Sequence, residues 1–591
     1  MKHPESSPHP EPQITVLDAG GQYCHLIARK VRDLGVYSEV KPSDTPASEL
    51  LNRRGIIISG GPASVFEPQS PSIDPAILGQ GTAVLGICYG LHLIAHKLGG
   101  RVRKGDKGEY GLAHLQTLKP HRLFDRLGDD RQIWMSHRDV VETVPEDFEV
   151  LAASETCGIA AMAHREQPIL GVQFHPEVVH TRSGNRILEN FVFGICHCKR
   201  DWEPKNRIAL IEEEIRQTAG DRNVFFFVSG GVDSTVAYTL CLRALGAGRV
   251  YGIYVDTGLM REGETEYVRD LFHQLGATAF QVESAEAEFL RDLEGVYDPE
   301  AKRRAIGEGF VTVQERVLNT GHFLDGQWIL GQGTIYPDTI ESGGSAKADV
   351  IKTHHNRVAG IQKLVESGRI LEPLASFYKD EVREIGRELG IPAEFLERHP
   401  FPGPGLGIRC LCSDREGPVR RLPEGWLAPI RSVGVQGDSR SYRDVLLLDD
   451  IPSDDRATEM VNRIGEVNRV IARVASRVPL SDLRVAKAEI TSERLARLRG
   501  ADAIVRRISK ETGFDRSVWQ FPVVLIPLGS KAAPDSVVLR PIDSVDGMTA
   551  QVVRMPEKLL LRLANDILAV EGIAAVFYDL THKPPGTIEW E

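Results

Sequence analysis

The chain has 591 residues, too many for one hydrophobic core and suited to about three or four domains. A hydrophobic content of 42% and a charged content of 26% are those of an ordinary globular protein, and no apolar run approaches the ~18 residues needed to span a bilayer. The formal net charge of −11 argues against a general nucleic-acid binder, so any phosphate ligand must be met by local basic residues. Eight cysteines without an apolar secretion segment are expected to be free thiols, and the whole points to a soluble cytoplasmic protein with no membrane partner. The one-residue gaps in Cys196-His197-Cys198 and Cys410-Leu411-Cys412 do not match the usual spacing of zinc ligands.

Residues 1–12, rich in Pro, His and Ser, read as a disordered leader. From residue 13 to about 200, short apolar strands at 14–17, Gly55–Ile58 and Ala83–Ile87 alternate with helical segments, which predicts an α/β domain with a mainly parallel sheet. Cys88 stands in Gly86-Ile87-Cys88-Tyr89-Gly90, at the step from a buried strand to a helix. Gly-x-Cys-x-Gly at such a step is a nucleophile elbow, which pushes the thiol out above the sheet. The N–H of Tyr89 and that of Gly60, in Ser59-Gly60-Gly61, are candidate oxyanion donors. Further on, Gly171-Val172-Gln173-Phe174-His175-Pro176-Glu177 offers a base and an orienting carboxylate. Pro176 biases His175 towards an extended conformation, so His175 and Glu177 project to the same side.

These residues, with Asp18-Ala19-Gly20-Gly21-Gln22-Tyr23 and Trp134-Met135-Ser136-His137-Arg138-Asp139, resemble the class I glutamine amidotransferases. The resemblance implies a Cys88-His175-Glu177 triad that releases ammonia from glutamine. It also exposes one departure. The family pattern Cys-x-Gly-x-Gln ends here in His92, where the family's glutamine helps to bind substrate, so the resemblance implies altered glutamine affinity.

A second α/β domain is expected over residues 205–409, with strands near 224–228, 250–255 and 328–330. Its most informative stretch is Ser229-Gly230-Gly231-Val232-Asp233-Ser234, between an apolar strand and a helical pattern over 235–244. Bare backbone N–H groups, serine hydroxyls and the positive end of a helix suit an anion. Asp233 fits a phosphate cradle once a divalent cation bridges it to the phosphates. The loop lacks the Walker lysine and resembles instead the SGGxDS loop of the ATP pyrophosphatases, with an adenine-nucleotide α-hydrolase-like fold. That implies ATP held by residues 229–234 and Mg²⁺ held by Asp233.

Residues 398–409, rich in Pro and Gly, end this domain. The last region, 410–591, carries a short internal echo: Pro429-Ile430-Arg431-Ser432-Val433 and Arg540-Pro541-Ile542-Asp543-Ser544-Val545. Each is followed by a helix and an apolar strand, which predicts two α+β modules at about 425–480 and 515–591. Taken as a whole, the chain is similar to the GMP synthase family in its longer form, whose dimerisation module has a second copy. Tyr254-Val255-Asp256-Thr257-Gly258, Gly333-Thr334-Ile335-Tyr336-Pro337-Asp338, Lys352-Thr353-His354-His355-Asn356 and the terminus Lys583-Pro584-Pro585-Gly586-Thr587-Ile588-Glu589-Trp590-Glu591 carry the likeness.

The likeness implies that Arg303, Asp438, Gln520, Lys583 and Glu589 hold XMP, and that a cationic lid includes Lys347 and Lys352. Monomer and homodimer both stay open. Ala574-Ala575 replaces the family's polar-Arg pair, and Arg469 in Asn468-Arg469-Val470 is the candidate to supply the missing arginine to a nucleotide or partner subunit.

Overall fold

The computed structural model describes residues 11–591 except 22, 130, 179, 203, 337–357, 400, 437–438, 453–455 and 545–549. The chain divides into two compact units, Met1–Glu214 with Tyr336–Ala346, and Ile215–Ile335 with Lys347–Glu591.

The first unit is built on an eight-stranded sheet. Its order is Ser38–Pro42, Ile14–Asp18, Gly55–Ile58, Ala83–Ile87, Ile169–Val172, Ala161–His164, Phe148–Ala153 and Gln116–Thr117. The first five strands run parallel, and the last three join by antiparallel pairing. Gly55–Ile58, Ala83–Ile87 and Ile169–Val172 are buried along their whole length, which is why they read as continuous apolar runs rather than alternating ones. A separate antiparallel pair, Arg101–His114 with Gln132–Thr143, carries the Trp134–Asp139 motif.

The second unit contains a five-stranded parallel sheet in the order Phe280–Ser284, Val250–Asp256, Asn223–Val228, Trp328–Gly331 and Ile370–Leu371. The phosphate-loop candidate follows the central strand, where open α/β sheets bind ligands. The helix Pro299–Thr320 starts from Asp298, whose carboxylate accepts from the N–H groups of Glu300 and Ala301, with Pro299 in the first turn.

The terminal region forms a seven-stranded sheet with a two-fold pattern. Trp426–Gln436, Ser439–Leu448, the helix Ala457–Arg463 and Val467–Ser476 make one ββαβ half. Val523–Ile526, Asp535–Leu539, the helix Glu557–Leu568 and Ile573–Asp579 make the other. In each half the first two strands are antiparallel and the strands flanking the helix are parallel. The halves meet where Val467–Ser476 pairs antiparallel with Ile573–Asp579. The sequence echo does not mark this repeat. Residues 429–433 lie in the first strand of their half, whereas 540–544 follow the second strand of theirs. The echo is therefore a local coincidence, and the repeat lies in topology.

Three charged residues in or next to these strands clamp the stretch from Thr581 to Trp590. Asp579, Arg469 and Arg540 are all fully buried. Asp579 Oδ2 accepts from Arg469 Nη1 at 3.2 Å and Trp590 Nε1 at 2.9 Å, and forms an ion pair with Arg540 Nη1 at 2.7 Å. Arg469 also donates to the carbonyls of Thr587 and Glu589, and Arg540 to those of Thr581, Thr587 and Ile588. The expectation that Arg469 reaches a nucleotide or a partner subunit is thus overturned: its guanidinium is buried and bonds Val433, Asp579, Thr587 and Glu589 of its own chain. Asp579→Asn removes a carboxylate that these two cations share, which should lower stability by about 3–5 kcal/mol, the usual cost of breaking a buried pair. The urea midpoint of the full chain is the measurement.

Candidate functional site

Two sites take shape, one in each unit. In the first, strand Ala83–Ile87 ends at Cys88, whose backbone (φ 52°, ψ −103°) turns sharply into the helix Tyr89–Lys97. The elbow needs both flanking glycines. A Cβ on Gly90 would lie 2.4 Å from the Ile58 carbonyl oxygen, and one on Gly86 would lie 2.5 Å from Gly90 backbone. His175 Nδ1 donates to Glu177 Oε1 at 2.7 Å, both side chains being buried. Burial works against a charged ring, but the Glu177 carboxylate and the Cys88 thiol outweigh it and hold the His175 pKa well above its ordinary value. The backbone fixes this base twice: His175 N–H donates to Trp134 O at 3.1 Å, and Thr181 Oγ1 donates to His175 O at 2.6 Å.

Tyr89 is the first residue of its helix, so its N–H has no acceptor within the helix. A Cβ on Gly60 would come within 3.0 Å of His175 Cε1 and 3.6 Å of Cys88 Cβ, so Gly60 lies directly against the nucleophile and its base. The thiol donates to Ser136 O at 3.5 Å, which gives the Trp134–Asp139 motif a place in the site. The structure therefore brings Cys88, His175, Glu177, Tyr89 and Gly60 together. Sequence reasoning missed Gln173, whose Nε2 donates to Cys88 Sγ at 3.7 Å. The signal was present: residues 173, 175 and 177 share the alternation that puts His175 and Glu177 on one side.

In the second unit, Gly230 (φ +71°) turns the chain from strand Asn223–Val228 into the helix Val232–Leu245. Ser229 Oγ accepts from Gly231 N–H at 3.2 Å and lies 3.1 Å from Ser234 Oγ, which closes the loop into a ring of small polar groups. Asp233 Oδ2 takes Lys379 Nζ at 2.5 Å, while Oδ1 is buried and has no hydrogen-bond partner among the described residues. An orphaned carboxylate oxygen beside an anion cradle fits one ligand of a divalent cation, with phosphate oxygens and water as the others. Lys379 stands 146 residues from Asp233, and nothing in its local sequence announced the contact.

Of the residues assigned to XMP by resemblance, Arg303 lies on a helix, while Gln520, Lys583 and Glu589 lie outside the helices and strands. Arg303, in the first turns of Pro299–Thr320, donates to the carbonyl of Glu591. Gln520, 7% exposed, pairs through its backbone with Ile542. Lys583 pairs through its backbone with Ala550, and Glu589 accepts two bonds from Arg409, at 2.7 and 3.0 Å. Beside them Lys302, fully buried, bonds the Glu591 carboxylate and donates to Cys410 O at 3.0 Å. Burial opposes its charge, yet the Cys412 thiol and Glu591 outweigh it and hold its pKa above the ordinary value. Lys302 and Arg409 were passed over because their carboxylate partners, Glu591 and Glu589, lie 180 or more residues away. Asp438, Lys347 and Lys352 lie outside the described residues.

Family models match in three stretches: glutamine amidotransferase class-I over residues 15–195, NAD synthase over 205–307, and the GMP synthase C terminal domain over 507–590. A triad-bearing amidotransferase and a NAD synthase-like fold in one chain define a glutamine-dependent synthetase. A probable glutamine-hydrolyzing GMP synthase of Leptospira interrogans is 42% identical over 98% of this chain and 99% of its own length. Glutamine-hydrolyzing GMP synthases of Caldicellulosiruptor saccharolyticus and Aquifex aeolicus are each 41% identical, over 98% of this chain and 99% of theirs. The chain belongs to the glutamine-hydrolysing GMP synthase family.

Proposed function

We propose that this chain converts XMP to GMP, using ATP to activate the purine C2 oxygen and glutamine as the source of ammonia. The observation that carries the reading is the His175–Glu177 bond, which leaves the imidazole facing Cys88, in a chain that also holds the 229–234 loop.

At the first site His175 takes the Cys88 proton, and the thiolate attacks the glutamine carboxamide. The N–H groups of Tyr89 and Gly60 receive the oxyanion. His175 then returns the proton to the leaving nitrogen, which departs as ammonia, and water releases glutamate from the sulfur. At the second site the Ser229–Ser234 loop seats the ATP phosphates, with its N–H groups and hydroxyls turned towards them. The C2 oxygen of XMP attacks the α-phosphorus, pyrophosphate leaves, and ammonia displaces AMP at C2. Mg²⁺ held by Asp233 would neutralise charge on the departing pyrophosphate. Arg303 and Lys583 supply cations for the XMP phosphate, and Glu589, oriented by Arg409, accepts from the purine ring; Gln520 and Asp438 complete the set by family likeness. The adenylated intermediate is open to hydrolysis, and Lys347 and Lys352 are proposed to lie on the lid that excludes water.

Cytoplasmic location and a homodimeric assembly belong to the same reading, the second open to light scattering on the full chain. The test of the reaction is XMP-dependent release of AMP and pyrophosphate, with glutamine and ammonium salts compared as nitrogen donors. One AMP per GMP with either donor is expected. AMP release that ignores XMP would overturn the reading.

A further inference from the structure

The reaction above gives no role to the buried pair His92 and Gln173, although one of the two touches the nucleophile. His92 follows Cys88 by four residues, so one helical turn sets it on the same face, and its N–H donates to Cys88 O at 3.2 Å. His92 is 4% exposed and Gln173 is fully buried. Gln173 is held by its own backbone, its N–H donating to Ala160 O at 2.9 Å. His92 Nε2 lies 2.8 Å from Gln173 Oε1, and Gln173 Nε2 lies 3.7 Å from Cys88 Sγ.

Burial pulls the His92 pKa down to about 4, so the ring is neutral and carries one N–H. The oxygen facing it fixes that proton on Nε2. The opposite amide orientation would turn an oxygen lone pair towards the sulfur, where a thiolate would repel it.

We propose that His92 is a positioning residue: by donating to Gln173 Oε1 it locks the carboxamide so that the amide N–H points at the Cys88 sulfur and favours the thiolate. The inference rests on the glutaminase reading of the triad and adds to it the group that steers the sulfur's hydrogen bond. His92 does this without contacting glutamine, unlike the family's glutamine at that position. Its neutrality matters as well, because a second cation beside Cys88 would compete with His175 for the thiolate charge.

The test uses the full chain and two readouts: glutamine hydrolysis, and carboxamidomethylation of Cys88 by iodoacetamide, followed by peptide mass spectrometry. His92→Leu should lower kcat about 10- to 100-fold, the scale of one hydrogen bond to a charged group, and slow alkylation in parallel, with the glutamine KM within about twofold. His92→Gln keeps an amide N–H donor and should recover most of both. In a Gln173→Leu background, His92→Leu should add nothing further. Fully additive losses would overturn the proposal, as would a raised KM at unchanged kcat, or a His92→Gln variant as slow as His92→Leu. Ammonia-driven synthesis, which bypasses the triad, serves as the folding control; if His92→Leu fails it, His92→Phe takes its place in the same comparison. Glutaminase surviving in Cys88→Ala would instead sink the reading of the triad itself, an outcome distinct from all of these.

Discussion

Cys88→Ala should abolish glutamine-driven amination and leave ammonia-driven amination at its original rate. The sulfur is the only atom of that side chain with a chemical role, and alanine inherits the same backbone, φ 52°, without added strain. Gly86 and Gly90 continue to pack against each other and against Ile58, so the elbow keeps its shape. The thiol's other contacts, to Ser136 O at 3.5 Å and from Gln173 Nε2 at 3.7 Å, are weak ones for the fold, and losing them costs little stability. The chemical loss is large: removing a covalent nucleophile from an intact triad can cost roughly 10⁶-fold in kcat. Parallel assays of GMP formation with glutamine and with ammonium chloride decide the matter. Loss of both activities would mean that Cys88 supports the fold or that the two sites cannot be separated.

What could be read in advance was what short stretches of chain determine by themselves. The elbow is local: two glycines, a strand on one side and a helix on the other, so 83–97 announces both its backbone and its chemistry. His175 and Glu177 are two residues apart, and Pro176 sets their common side. The 229–234 loop is local in the same sense. Each of these was legible because its chemistry-bearing residues are neighbours in sequence, even where distant residues such as Ile58 and Trp134 pack against them.

The contacts that were not legible join residues far apart in sequence. Lys302 meets Glu591, Arg409 meets Glu589, and Lys379 meets Asp233 across 146 residues. A buried cation has no local signature, since its neighbours in sequence do not say which carboxylate will reach it. Arg469 is the clearest case. As the arginine of Asn468-Arg469-Val470 it looked free to replace the one missing at Ala574-Ala575, but the fold commits its guanidinium to Asp579 and to carbonyls of Val433, Thr587 and Glu589. The terminal repeat escaped for a related reason. Its two halves share strand order and direction, which pairing and packing impose, while the five-residue echo falls on positions that do not correspond.

Asp233→Asn should stop XMP-dependent release of AMP and pyrophosphate while sparing the basal glutaminase. The change keeps the side chain's shape and removes its charge, so the loop from Ser229 to Ser234, closed by its own serines, is retained. Two features of the carboxylate make the charge matter. Oδ2 holds Lys379 Nζ at 2.5 Å beside the anion cradle, and Oδ1 is buried with no partner among the described residues, a position suited to a cation. An asparagine offers one neutral oxygen where a divalent cation prefers a carboxylate. A loss of several kcal/mol of charge stabilisation corresponds to about 10²- to 10⁴-fold in rate. Raising Mg²⁺ should recover part of that loss, because weaker binding is met by mass action. A purely structural Asp233–Lys379 pair predicts the reverse pattern, a lowered Tm with AMP release retained. Measuring AMP release across a Mg²⁺ titration beside the melting curve separates the two, and normal turnover at low Mg²⁺ would remove Asp233 from the nucleotide site.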